Sequence, residues 1–316
     1  MPYTRDLVLV GGGHAHALVL KAWGMDPLPG ARLTVINPEP MAPYTGMLPG
    51  HVAGHYRRDD LEIDLVRLCR HAGARLILAR AIGIDRAQRN VMLQGRAPVA
   101  YDLASFDVGI TAKLGLPGFA EHGIRAKPLD VYAARWRSFL AAVAQGQVAP
   151  DVAVIGGGVA GCELAMAMAF ALQAAGVRPR VTVIELGPQI SGVTRQARQR
   201  MLSAMDDLGI VVKTSARVVE VRADQLLLEG DDPVAASFCV GAAGGFAHTW
   251  IAKTDLPQRD GFIEIGADLG VLGDKALFAV GDCAVMPHAL RPKAGVFAVR
   301  AAPILQYNLR AALSDN

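Results

Sequence analysis

The sequence predicts an α/β protein built from two parallel-sheet domains, and three observations carry that expectation. The chain has 316 residues, more than one hydrophobic core usually organises. The stretch "DLVLVGGGHAHALVL" from Asp6 returns at Asp151 as "DVAVIGGGVAGCELA", each a short β-branched strand running into three glycines and then a helical pattern. The residues downstream of each copy repeat as well, in the order strand, helix, strand that parallel sheets with crossover helices require.

Taken in order, the first copy leads to a second strand, "ARLTVIN", and then to "GARLILARAIGIDRAQRNVMLQG". There Ile82–Asp85 and Val91–Leu93 alternate about a turn and predict a hairpin. The half closes on "YDLASFDVG", a strand ending at Gly109. The second copy leads to "RVTVIEL", then to "LGIVVKTSARVVEVRADQLLLEG" with a hairpin over Val218–Arg222 and Leu226–Leu228, and closes on "SFCVGAAG" at Gly241.

Composition narrows the function classes. Hydrophobic residues make up 52% of the chain, but Ala-rich runs such as "ELAMAMAFALQAAG" account for much of this, and no apolar run reaches membrane-spanning length. The N-terminal apolar run is interrupted by Gly11–Gly13 and two histidines, unlike a signal peptide. The four cysteines (Cys69, Cys162, Cys239, Cys283) lie far apart without C-x-x-C or metal-ligand spacing. A soluble protein of a reducing cytoplasm is expected. A net charge of +3, with basic and acidic residues interspersed, offers no nucleic-acid stripe. His14 with His16, and His51 with His55, lack completing ligands, so no metal is expected. The run "RQARQR", Arg195–Arg200, reads as a solvated helix face, with contact to anionic lipid as the alternative.

The Gly-rich turns point to dinucleotides, because backbone without Cβ atoms approaches a pyrophosphate closely and the helix after it presents free N–H groups to the phosphates. In the second turn Gly156, Gly158 and Gly161 have the full G-x-G-x-x-G spacing, and Glu185 ends the next strand where it accepts hydrogen bonds from a ribose and repels a 2′-phosphate. NADH is therefore favoured over NADPH. The first turn keeps Gly11 and Gly13 but has His16 at the third glycine position and Asn37 in place of the acid. The bulk of His16 should hold the helix away from the strand; Asn37 can bond a ribose without charge, with Glu39 as a substitute.

Two nucleotide folds in tandem, "GGGVAGCE" and the late "ALFAVGDCAV" resemble the pyridine nucleotide-disulfide oxidoreductase superfamily over nearly the whole chain. That resemblance implies two Rossmann-like domains, with an NAD(P)H-binding domain inserted into an FAD-binding one: FAD over 1–116 and 252–316, NAD(P)H over 117–251. More narrowly, "GGGHAH", "PYTGMLPGHVAGHY", "IDL", "AKPLD" and "RPKAGVFAVRAAPILQYNLRA" are similar to NADH-dehydrogenase-like proteins often fused in front of selenide, water dikinase. It implies FAD contacts from Gly11, Gly13, His14, Asn37, Ala81, Gly109, Gly281, Asp282 (on the ribityl chain) and Ala294, and nucleotide contacts from Gly156, Gly158, Gly161, Glu185 and Gly241. Asp107 and Val108 stand where many superfamily members have Ala-Thr. The superfamily's usual C-terminal interface domain is not expected in this chain, and another chain or domain completing the site is the corresponding partner expectation.

In disulfide-reducing members a redox cysteine pair comes after the first strands, whereas here the segment reads "APYTGMLPGH". Electrons are therefore expected to pass from nicotinamide C4 to flavin N5 and on to a quinone or small acceptor, with Tyr44, Thr45, Gly46 and Met47 lining the ring. The resemblance implies catalytic roles for Lys293, near the pyrimidine side of the flavin, and Glu163, near the nicotinamide; an ordinary surface lysine and a solvated helix residue are the alternatives. A sulfide:quinone-type oxidoreductase and a non-catalytic NADH or FAD sensor are the other functional readings.

Overall fold

The computed structural model describes residues 4–111, 114–126 and 129–314. In chain order its principal elements are β1 (Arg5–Val10), α1 (His14–Met25), β2 (Ala31–Asn37), β3 (Arg75–Leu78), β4 (Leu103–Phe106), β5 (Gly123–Arg125), α2 (Leu129–Ala144), β6 (Asp151–Ile155), α3 (Val159–Ala174), β7 (Arg180–Ile184), β8 (Val211–Lys213), β9 (Phe238–Gly241), β10 (Leu277–Ala279) and α4 (Gly295–Ser314). They divide into two units. One comprises Met1–Ala42, Glu62–Thr111 and Gly245–Asn316, the other Pro43–Leu61 and Ala112–Gly244. Of the "AKPLD" motif, Lys127 and Pro128 lie outside the described residues.

The first unit holds a five-stranded parallel sheet in the order β10-β4-β1-β2-β3. Its central strand is apolar on both faces: Leu7 and Leu9 on one and Val8 and Val10 on the other are all buried, in one core with Val19, Leu20 and Trp23 of α1, Leu305 and Leu309 of α4, and Ile84, Val91 and Leu93 of the hairpin. Each fully buried leucine contributes roughly 1.5–3 kcal/mol. The register sets Val10 beside both Ile36 and Phe106, so the ends of β1, β2 and β4 open at one edge, where the first Gly-rich turn leaves the sheet.

The second unit repeats this plan in the order β5-β9-β6-β7-β8, with Ile155 beside Ile184 and Gly241. Its core joins Val152 and Val154 to Leu164 and Met168 of α3 and to Tyr132 and Trp136 of α2. The two sheets differ in their fifth strand. In the first unit it comes from β10, far downstream; in the second it comes from β5, just upstream.

Both expected hairpins form, and each gains a third strand that the sequence pattern did not reveal: Val99–Ala100 beside Asn90–Leu93, and Asp231–Ala235 beside Gln225–Leu228. The first is too short for periodicity, and the second begins "DDP", a composition tolerated only on an edge.

Candidate functional site

The first turn is held by side chains reaching back to its own backbone. Gly11 adopts φ +95°, and a Cβ there would meet the Asp107 carbonyl carbon at 2.7 Å, so only glycine fits. Asn37, at the end of β2, accepts from the Gly12 amide (3.0 Å) and donates to the Glu39 carbonyl (2.7 Å). The His16 ring is fully buried between the Gly11 carbonyl and the Ser105 hydroxyl, 2.8 Å from each. Burial lowers its pKa from 6.5 to about 4, against the opposing Gly11 bond, and keeps it neutral. The imidazole thus fills the space between helix and strand that a third glycine would close.

The second turn takes the closer form. Gly156 has φ +114°, with Ala243 N only 2.7 Å from where a Cβ would lie. At Gly161 a Cβ would collide with the Gly156 carbonyl oxygen, so helix and turn touch backbone to backbone. Glu185 accepts from Gly157 N (2.6 Å) and Gly187 N (2.8 Å), occupying the position that Asn37 holds in the first unit. Gly158 caps α3 without a side chain, and a Cβ there would meet only the Ser191 Oγ, at 3.9 Å.

The other expected residues are spread over both units. Gly281 and Asp282 lie in a single 3-10 turn after β10, with Gly281 at φ +71° against the Asp107 carboxylate. Ala294 precedes α4, whose first residue, Gly295, would meet His14 Nδ1 at 2.8 Å if it carried a Cβ. The start of α4 and the first Gly-rich turn are therefore adjacent. Lys293 is half-buried, donates to the Ala284 carbonyl (2.6 Å) and stands 3.9 Å from the Phe262 ring centroid; burial lowers its pKa. Ala81 is buried at the start of its hairpin, and Gly109 has φ +66° with nothing crowding it. Gly241 serves packing, since a Cβ there would meet the Phe119 ring at 2.6 Å. Thr45 and Gly46 lie in a 3-10 turn of the second unit. The same unit carries Glu163 on α3, solvent-accessible and with a pKa raised by partial desolvation.

All four cysteines are free and buried. Burial pushes Cys69 and Cys162 up to about 11, and Cys239 and Cys283 up to about 12, so each is a protonated thiol at neutral pH.

These residues fit a dinucleotide in each unit: a turn with no room for a Cβ at Gly11 and Gly13 or at Gly156 and Gly161, a helix starting at that turn, and a polar side chain ending the next strand. Sequence reasoning missed two participants in the first. Ser105 anchors His16, and Asp107 sits at the α1 N-terminus, where its Oδ2 accepts from Ala15 N (2.9 Å) and His16 N (3.1 Å). The only available signal was the acid in "SFDVG" itself, because the contact spans 92 residues.

Residues 5–302 match the family described as pyridine nucleotide-disulphide oxidoreductase. The NADH dehydrogenase-like protein YutJ of Bacillus subtilis is 25% identical over 310 residues, 96% of this chain and 82% of that protein. Demethylphylloquinone reductase NdbB of Synechocystis is 28% identical over 229 residues, 69% of this chain and 55% of that protein, so the match spans about half of that relative. Among solved structures, the sulfide:quinone oxidoreductase of Aquifex aeolicus superposes with a TM-score of 0.80 at 18% identity, covering 98% of this chain and 78% of that one, a likeness of fold.

Proposed function

The chain belongs to the pyridine nucleotide-disulphide oxidoreductase family, and from that premise we propose that it is an FAD-dependent oxidoreductase that takes hydride from NADH and delivers electrons to a quinone or small diffusible acceptor without a redox disulfide. The state of the cysteines carries this reading: four buried, unpaired thiols with raised pKa values leave no dithiol to relay electrons. The quinone-linked relative supports the acceptor class. Free thiols also support a reducing compartment, the cytoplasm, as its place of work. Among the described residues no helix is long and apolar enough to cross a membrane.

Bound FAD supplies the capacity to accept two electrons from a nicotinamide and release them to a different acceptor. The chain's own residues supply position and electrostatics. In this reading Gly11, Gly13 and His14 receive the FAD pyrophosphate, Asn37 the adenosine ribose, and Ala81 and Gly109 the neighbouring backbone contacts. Asp282, beside Gly281, accepts from the ribityl hydroxyls, and Lys293 with Ala294 at the start of α4 places positive charge near the flavin. In the second unit Gly156, Gly158 and Gly161 receive the NADH pyrophosphate and Glu185 its ribose, discriminating against a 2′-phosphate. Thr45 and Gly46 line the ring, and Glu163 stands near the nicotinamide.

The test is the visible absorption of the purified protein before and after anaerobic addition of NADH. A yellow protein that bleaches with NADH and regains colour on adding a soluble quinone is the expected result. A protein that takes up no FAD breaks the oxidoreductase reading; one that bleaches but is reoxidised only by disulfides breaks the acceptor assignment.

A further inference from the structure

Asp107 lies where the two flavin-side loops of the first unit meet. Its carboxylate fills the space beside Gly13, so that a Cβ on that glycine would overlap it, and it touches the corresponding position of Gly281, 2.6 Å from Oδ1. It is 4% exposed and accepts the amides of Ala15 and His16, the second and third residues of α1. Those amides form the positive helix end that a dinucleotide pyrophosphate uses. In the second unit the residue at this place after β9 is Ala242, and the α3 N-terminus carries no such anion.

We propose that Asp107 sets the affinity of the first site for FAD through its charge: ionised, it occupies part of the helix end and repels the pyrophosphate; protonated, it braces the same amides without that repulsion. The inference rests on the first site being the FAD site. Asp107 is then a positioning and affinity-determining residue, which holds the turn in its binding shape and makes FAD uptake respond to pH.

The surroundings place this response near neutrality. Burial is the main influence on Asp107 and raises its pKa from 3.8 to about 6, opposed by the His16 and Ala15 amides. Of the groups facing it, His14 on α1 favours its charge and Asp282 on the 3-10 turn opposes it. His16 is held neutral, Cys283 is protonated, and Lys293 acts on Asp282 and Cys283; α4 presents the apolar Ala298 at Gly281.

FAD titrated into full-length apoprotein, monitored by flavin fluorescence from pH 5 to pH 8, tests this. FAD should bind wild-type protein about tenfold more weakly at pH 8 than at pH 5. Asp107→Asn, which keeps an acceptor and removes the charge, should bind about tenfold more tightly than wild type at pH 8 and equally at pH 5. Asp107→Ser, which removes the charge with a smaller side chain, should lose the pH dependence in the same way. A ratio of wild-type to Asp107→Asn dissociation constants that does not change with pH overturns the proposal. So does a flat profile for the wild-type protein, which also decides the matter should Asp107→Asn fail to fold. Failure of every variant to take up FAD at any pH breaks the flavin reading itself, whereas pH-independent FAD binding breaks only the role of Asp107.

Discussion

The two Gly-rich turns of this chain solve one geometric problem in opposite ways. In the second unit, Gly161 lets α3 rest directly on the Gly156 carbonyl, and a bare helix end faces the site. In the first, His16 inserts a neutral ring between α1 and the turn, Ser105 and the Gly11 carbonyl hold that ring, and Asp107 occupies the helix end. The comparison teaches that the third glycine of such a turn is one way to fill a gap of defined size, and that a side chain serves as well when the neighbouring strand supplies a partner.

The largest effect should come from forcing the first solution on the second unit. Gly161→His places a Cβ against a backbone carbonyl with no gap to receive the ring, and should cost about 4 kcal/mol or more in stability with loss of NADH binding. Thermal unfolding and calorimetric titration with NADH measure both, and normal binding would show that α3 is free to stand off. The reverse change, His16→Gly, leaves a cavity and an unpaired Gly11 carbonyl, and should destabilise the first unit by about 3 kcal/mol in urea unfolding. A negligible cost would mean that the turn collapses into the second unit's form.

Acid titration of the apoprotein sharpens the contrast. His16 is depressed to about 4, so the stability it contributes is present above 6.5 and is lost as pH falls through 4. Asp107 is raised to about 6, so its contribution is present below 3.8 and is lost as pH rises through 6. Between pH 6 and pH 4 the two slopes oppose each other, and wild-type stability should stay nearly level. Asp107→Asn should expose the His16 contribution as a loss of about 3 kcal/mol between pH 6.5 and pH 4. An unchanged profile would separate the two residues energetically.

Replacing Glu185 by Asn, the residue the first turn uses, should lower the preference for NADH over NADPH by about tenfold, read from the two dissociation constants. The smallest effect is expected from Cys162→Ala and Cys239→Ala, whose turnover with NADH and a quinone should stay within about twofold of wild type. A collapse in turnover with NADH binding intact would return a thiol to the electron path.

Much of the architecture was legible because its causes are local. The β-branched strands, the glycines at Gly11 and Gly156, and the alternating hairpins are written in consecutive residues, and the repeat let one half vouch for the other. The acid or amide ending the second strand was legible by spacing, and Glu185 and Asn37 both stand beside their turns. The edge strand at Asp231–Ala235 was not, since its pattern is polar and pairing alone makes it a strand. Gly241 could not be distinguished by sequence from a nucleotide-facing glycine, because the Phe119 ring that demands it lies more than a hundred residues upstream.

By itself, then, the sequence determined two parallel α/β units, two dinucleotide turns and the absence of a cysteine pair after the first strands, because backbone sterics and hydrophobic period act over a few residues at a time. Only the tertiary structure decided how His16 is tolerated, where Asp107 points and what state the cysteines are in. Those depend on Ser105 and Phe106 of β4 being brought beside β1, on the resulting burial, and on the cost of charging any group placed there.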